Sequence, residues 1–152
     1  MAFVVVLWLS HPLHTGQVQL VDLNLRVMDS GGQTYFEFLK PVLMQDRALV
    51  LLCVNGREDA TIVQEMEQYL DILSTLMHGG VVIPVVTHAD EIDDPSPLRS
   101  LWSTQVEDLF SRFQGVLTID TELTLVSSST GQGLGELREK MRRNAGRVST
   151  FP

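Results

Sequence analysis

Asp29-Ser30-Gly31-Gly32-Gln33 closes an alternating apolar run, Leu23-Asn24-Leu25-Arg26-Val27-Met28. A carboxylate leaving a strand can hold a metal-bound water. A glycine lets a backbone amide approach a phosphate, and a glutamine can orient an attacking water. Asp29, Gly32 and Gln33 are thus candidates for a phosphate end, although aspartate and glycine after a strand also make ordinary tight turns.

A second group, Thr87-His88-Ala89-Asp90, follows the apolar run Val81 to Val86. An aspartate at a strand's carboxyl end can accept two hydrogen bonds from the N1 and N2 donors of guanine. Adenine cannot supply that pair, and sites of this kind reject the wrong partner by ~10⁴ or more. Thr87 would brace the loop and the flat body of His88 would cover one face of the base. A third group, Ser127-Ser128-Ser129-Thr130-Gly131, follows Leu123 to Val126 and precedes a helical pattern. Small residues there let backbone amides approach the guanine O6, while serine and threonine before a helix also serve as caps. All three groups lie at the carboxyl ends of candidate strands, where open α/β sheets bind ligands.

The elements that must position them are legible from periodicity. Phe3 to Leu9, Ala48 to Val54 and Val81 to Val86 are nearly continuous apolar runs, which predicts buried parallel strands. Pro84 sits awkwardly in the last of these. Leu123 to Val126 predicts a short fourth strand, and alternation between Gln17 and Met28 predicts two strands paired antiparallel about Asp22 to Asn24. Ile62, Met66, Tyr69, Leu70, Leu73 and Met77 recur at helical spacing before Gly79-Gly80. Ser96-Pro97 predicts an N-cap and first position for a second helix, whose core face is Leu98, Leu101, Trp102, Val106, Leu109, Phe110 and Phe113. A third is expected over Gly133 to Asn144, burying Leu134, Leu137 and Met141 and placing Arg142 and Arg143 at its negative end. Alternating strands and helices predict an α/β sheet with helices on both faces.

Composition narrows the function. The chain has 152 residues, 44% of them hydrophobic, which allows one domain with one core. A formal charge of -8 disfavours binding to a phosphodiester backbone, so no nucleic-acid partner is expected. Cys53 stands alone in an apolar run and is expected to be a buried thiol, and the four histidines are scattered without ligand spacing. No segment approaches the ~18 apolar residues that span a bilayer. Phe3 to Leu9 lacks the basic region and cleavage pattern of a signal peptide. A soluble, cytoplasmic protein is expected.

With these residues in order, the chain resembles the Roc branch of the Ras-like GTPases, found in large proteins with leucine-rich repeats and a COR dimerisation domain. The resemblance rests on Leu23 to Gln33, Asp46 to Leu52, Val85 to Asp90 and Val126 to Leu134, and spans about Val18 to Met141. The Thr-His-x-Asp form of the second group, in place of Asn-Lys-x-Asp, is typical of that branch. The resemblance implies a Ras-like, mostly parallel sheet with helices on both faces. It implies an atypical strand and loop over residues 1–16, a Roc-like GTPase domain over 17–145 and a tail over 146–152. It assigns GTP binding to Asp29, Gly32, Gln33, Thr87, His88, Asp90, Ser127, Ser128 and Ser129. Mg²⁺ would enter with the nucleotide, held by Asp29 through water, and Gln33 would position the attacking water. GTP or GDP and a COR-like neighbouring domain are the implied partners.

One departure is large. No G-x-x-x-x-G-K-[ST] occurs in these residues, so the resemblance implies a domain lacking its first helix and phosphate loop. That loop supplies amides, a lysine and a metal-ligand hydroxyl to the phosphates. Losing three charged hydrogen bonds costs roughly 5–9 kcal/mol, or about 10³–10⁶ in affinity. The expectation is a fragment or degenerate form of a guanine-nucleotide switch, with weak GTP binding and little or no hydrolysis alone. The alternative is a nucleotide-independent interaction or dimerisation module on the same fold.

Overall fold

A computed structural model describes residues 3–9, 17–20, 23–30, 48–57, 59–77 and 80–149. Gly32, Gln33 and Gly79 lie outside them. The strands are β1 (Phe3–Leu9), β2 (Gln17–Leu20), β3 (Leu23–Ser30), β4 (Ala48–Asn55), β5 (Val81–Thr87) and β6 (Thr118–Ile119). They form one six-stranded sheet in the order β2-β3-β1-β4-β5-β6. The helices are α1 (Ile62–Leu76), α2 (Ser96–Leu101), α3 (Glu107–Phe113) and α4 (Leu134–Ser149), with a π-helical turn over Trp102–Val106 joining α2 to α3.

β4 and β5 are the centre of the described core, and period-two alternation sorts their side chains. Val50, Leu52, Val54, Val82 and Val86 meet α1 and the α2–α3 segment, through residues such as Met66, Leu70, Trp102 and Phe110. Leu49, Leu51, Cys53, Val81, Ile83 and Val85 form a second cluster on the opposite face with Val126 and Met141 of α4. Both faces are covered by helices, which is why these runs are apolar throughout instead of alternating. Cys53 is buried in this second cluster. The apolar stripe of α1 is buried as its spacing predicts: Ile62, Met66, Tyr69, Leu70 and Leu73 all face the sheet. The fold is α/β with a parallel block of three strands.

Several expectations need correction. The parallel character stops at β4, because β1 pairs antiparallel with both β3 and β4. A wholly apolar run carries no alternation to fix its direction, so the sequence could not say which way β1 lies. The β2–β3 pair is antiparallel, with Leu20 opposite Leu23, as its alternation suggests. The sixth strand is Thr118–Ile119, while Leu123 to Val126 contributes one parallel bridge, Val86 to Leu125. That arrangement accommodates Pro84. Val82 accepts from the Asp120 amide, and the Val86 amide donates to Thr124, so even-numbered residues of β5 turn their backbone groups toward β6. Pro84 has no amide hydrogen at the point where the neighbouring chain loops away between Ile119 and Leu125.

At α2, Ser96 is the first helical residue, not the cap. The Asp94 carboxylate instead accepts from the Ser96 amide at 3.0 Å. That hydrogen bond is the main cause of an Asp94 pKa below its ordinary value. α4 runs on to Ser149, leaving Arg142 and Arg143 away from its last turn. Leu134, expected in the core, is 40% exposed. At this end of α4 the backbone of Gly133 takes the contact with the sheet: a Cβ there would stand 1.9 Å from the Leu125 carbonyl oxygen. Lys140 and Asn144 are buried in place of Leu134. Lys140 donates to Thr124 Oγ1 and to the Glu122 carbonyl, and Asn144 donates to Asp120.

Candidate functional site

β5 ends at Thr87, and His88 takes a left-handed conformation (φ 62°, ψ 35°) that turns the chain into a 3₁₀ turn, Ala89–Glu91. Histidine tolerates this region better than a β-branched residue would. The reversal is pinned at its base, where the Ala89 amide donates to the Val126 carbonyl at 3.0 Å. It carries Asp90 back toward the loop that follows Val126. There Gly131 donates its amide to the Ser127 carbonyl with φ 83°.

The two loops meet through side chains. Ser127 Oγ donates to Asp90 Oδ1 at 2.7 Å, and Ser129 Oγ donates to Asp90 Oδ2 at 3.2 Å. Ser127 Oγ in turn accepts from the Thr130 amide at 3.2 Å, and Ser127 is 1% exposed. The hydrogen bond from Ser127 is the largest influence on Asp90. It holds the carboxyl below its ordinary range against the opposing effect of desolvation. Asp90 is therefore an anion at neutral pH and accepts only. A carboxylate offers about four lone-pair directions, and the serines take one on each oxygen. The residue's own backbone amide also donates to the carboxylate, and the lone pairs left over are the acceptors available to an incoming donor.

Beside it, Thr87 Oγ1 donates to the Val54 carbonyl at 3.2 Å and lies 2.9 Å from His88 Nδ1. Gly56 anchors the end of β4 to this turn, its amide donating to the Thr87 carbonyl at 3.0 Å. A Cβ on Gly56 would come within 2.8 Å of Thr87, Ile92 and Val86, so the close approach requires glycine. Thr87, His88, Asp90, Glu91, Ser128 and Ser129 line a cleft of about 220 Å³. That is below the usual size of a site enclosing a whole drug-sized ligand and is suited to one planar group.

Thr87, His88, Asp90, Ser127, Ser128 and Ser129 are thus brought together. Asp29 is not. It aligns with Val5, and Val5 with Leu51, whereas Thr87 aligns with Asn55. β3 runs in the same direction as β4 and β5, but four residues of depth and three strands of width separate Asp29 from Thr87. At about 3.3 Å per residue and about 4.8 Å per strand, they stand on the order of 20 Å apart. Gly32 and Gln33 lie outside the described residues. Among the described residues no three histidine, cysteine, aspartate or glutamate side chains gather as a metal site.

Sequence reasoning missed Arg57. Its guanidinium sits between Glu91 Oε2, 3.1 Å from Nε, and His88 Nε2, 3.4 Å from Nη2. Asn55 Oδ1 also accepts from the Arg57 amide at 3.0 Å. Asn55-Gly56-Arg57 is a polar turn following an apolar parallel strand, so the signal that singled out Thr87 to Asp90 was present here too. No helix among the described residues is long and apolar enough to cross a membrane. No family model matches the chain, and no curated protein is significantly similar to it.

Proposed function

We propose that the chain is a Ras-like domain of the Roc type that has kept its guanine-recognition side and binds guanine nucleotides weakly, as a regulatory switch element. The observation that carries this reading is the Asp90 carboxylate, ionised, oriented by Ser127 and Ser129, and open toward a cleft sized for one planar group. A base with two adjacent N–H donors satisfies it, and adenine leaves it short of a partner. Thr87 braces the turn, and His88 and the Ser127–Ser129 loop complete the walls. The α/β sheet with helices on both faces, and both loops at carboxyl ends of its strands, supports the Ras-like assignment.

The phosphate side is weaker. With no lysine loop in the sequence and Asp29 on the order of 20 Å from Thr87, affinity rests on the base. Mg²⁺ would enter with the phosphates at Asp29, and Gln33 would position water there. Hydrolysis by this chain alone stays at background in single-turnover measurements with saturating GTP and Mg²⁺. A cytoplasmic setting and a COR-like neighbouring domain belong to the same reading. The missing phosphate loop favours one second reading, an interaction or dimerisation module indifferent to nucleotide.

NMR titration with GTP, GDP and ATP in the millimolar range separates the two. Shifts confined to residues 87–91 and 127–130, present for GTP and GDP and weaker for ATP, are the expected result. Asp90→Asn should remove the preference, because an amide presents one donor and one acceptor. Equal responses to GTP and ATP would leave the interaction module standing.

A further inference from the structure

We infer that Arg57 is a positioning residue that selects the Nδ1-protonated tautomer of the neutral His88 imidazole and orients its ring at the rim of the Asp90 cleft. The assignment follows from donor arithmetic. Arginine carries donors only, so the contact from Arg57 Nη2 to His88 Nε2 at 3.4 Å requires a lone pair on Nε2. A neutral imidazole with a bare Nε2 bears its hydrogen on Nδ1. Nδ1 lies 2.9 Å from Thr87 Oγ1 and donates that hydrogen to it, and the hydroxyl's own hydrogen is directed to the Val54 carbonyl. Guanidinium, imidazole, hydroxyl and carbonyl therefore form one chain with a single consistent direction.

The guanidinium is itself held in place. Glu91 Oε2 lies 3.1 Å from Arg57 Nε, and the Arg57 amide is fixed by Asn55. The charged groups facing His88 are Arg57 from the end of β4 and Asp90 and Glu91 from the turn after β5. Contacts at both nitrogens orient the ring, so it offers the cleft a flat surface. The consequence for ligands rests on the guanine reading above: the surface suits a planar heterocycle bearing two adjacent donors.

The test starts without ligand. Long-range ¹H–¹⁵N spectra of the whole chain in mildly alkaline buffer report each imidazole tautomer, with His88 assigned by its loss in His88→Gln. The wild type should show Nδ1 protonated and Nε2 bare. Arg57→Ala should return His88 to the Nε2-protonated form that predominates in free histidine, and Arg57→Lys, which restores a cationic donor, should retain the native form. Arg57 is 51% exposed, and the backbone amide spectrum verifies that each variant is folded. Guanosine titration should then weaken about 2- to 10-fold in Arg57→Ala, the equivalent of one ordinary hydrogen bond. An Nε2-protonated ring in the wild type, or a tautomer indifferent to Arg57→Ala, would overturn the inference. If the tautomer follows Arg57 as expected while the wild type ignores guanosine, the guanine reading falls and the tautomer assignment stands.

Discussion

Replacing Gly133 with alanine should damage this protein far more than the same change at Gly131, although both have positive φ, 76° and 83°. The left-handed conformation itself costs an L-residue about 1–2 kcal/mol at either position. At Gly131 nothing else happens, since a Cβ meets no atom within 4 Å. At Gly133 the Cβ would fall 1.9 Å from the Leu125 carbonyl oxygen, a backbone atom that cannot step aside alone. Leu125 forms the bridge to Val86, flanked by hydrogen bonds from Val86 to Thr124 at 2.8 Å and from Val126 to Val86 at 2.9 Å. Disrupting those two bonds adds about 1–3 kcal/mol. Gly133→Ala should thus cost about 2–5 kcal/mol, a large share of the 5–15 kcal/mol that stabilises a typical domain. Urea unfolding of both variants and the wild type gives the comparison directly, provided the slopes agree. Equal losses in the two variants would refute the close-packing argument and leave only backbone strain.

Lys140→Met should destabilise the chain by about 1–3 kcal/mol. Its carboxylate partners Glu122 and Glu136 are 70% and 55% exposed and rehydrate readily, but the Thr124 hydroxyl is fully buried and loses its partner. Thermal or urea unfolding checks this, and a gain in stability would show that burying the ammonium costs more than its contacts return. The Asp90 carboxyl has a folded pKa below its ordinary 3.8, so its contribution to stability is complete above pH 3.8 and is lost only as pH falls through the lower folded value. Carbon-detected titration of Asp90 should find that depression, and Ser127→Ala should move the pKa back up. A Ser127→Ala variant with an unchanged titration would mean that another group holds the anion.

Much of this architecture is written in local pattern. The apolar runs of β4 and β5 imply strands covered on both faces, and the spacing from Ile62 to Leu73 implies one buried helical face, because burial repeats with the period of the element. Thr87, Asp90 and Ser127 could also be singled out, since polar residues directly after apolar strands must emerge at the carboxyl edge of the sheet. The direction of β1 could not be read, because a run that is apolar at every position fits a sheet either way up. Nor could the placement of the last strand at Thr118–Ile119, which pairs with Val81 and Val82 ahead of Pro84. Arg57 and Glu91 became part of the site only once β4 and β5 lay side by side. Sequence specifies which groups can donate or accept; which donor meets which acceptor across 31 residues of chain, as with Arg57 and His88, is decided by the packing that brings them within reach.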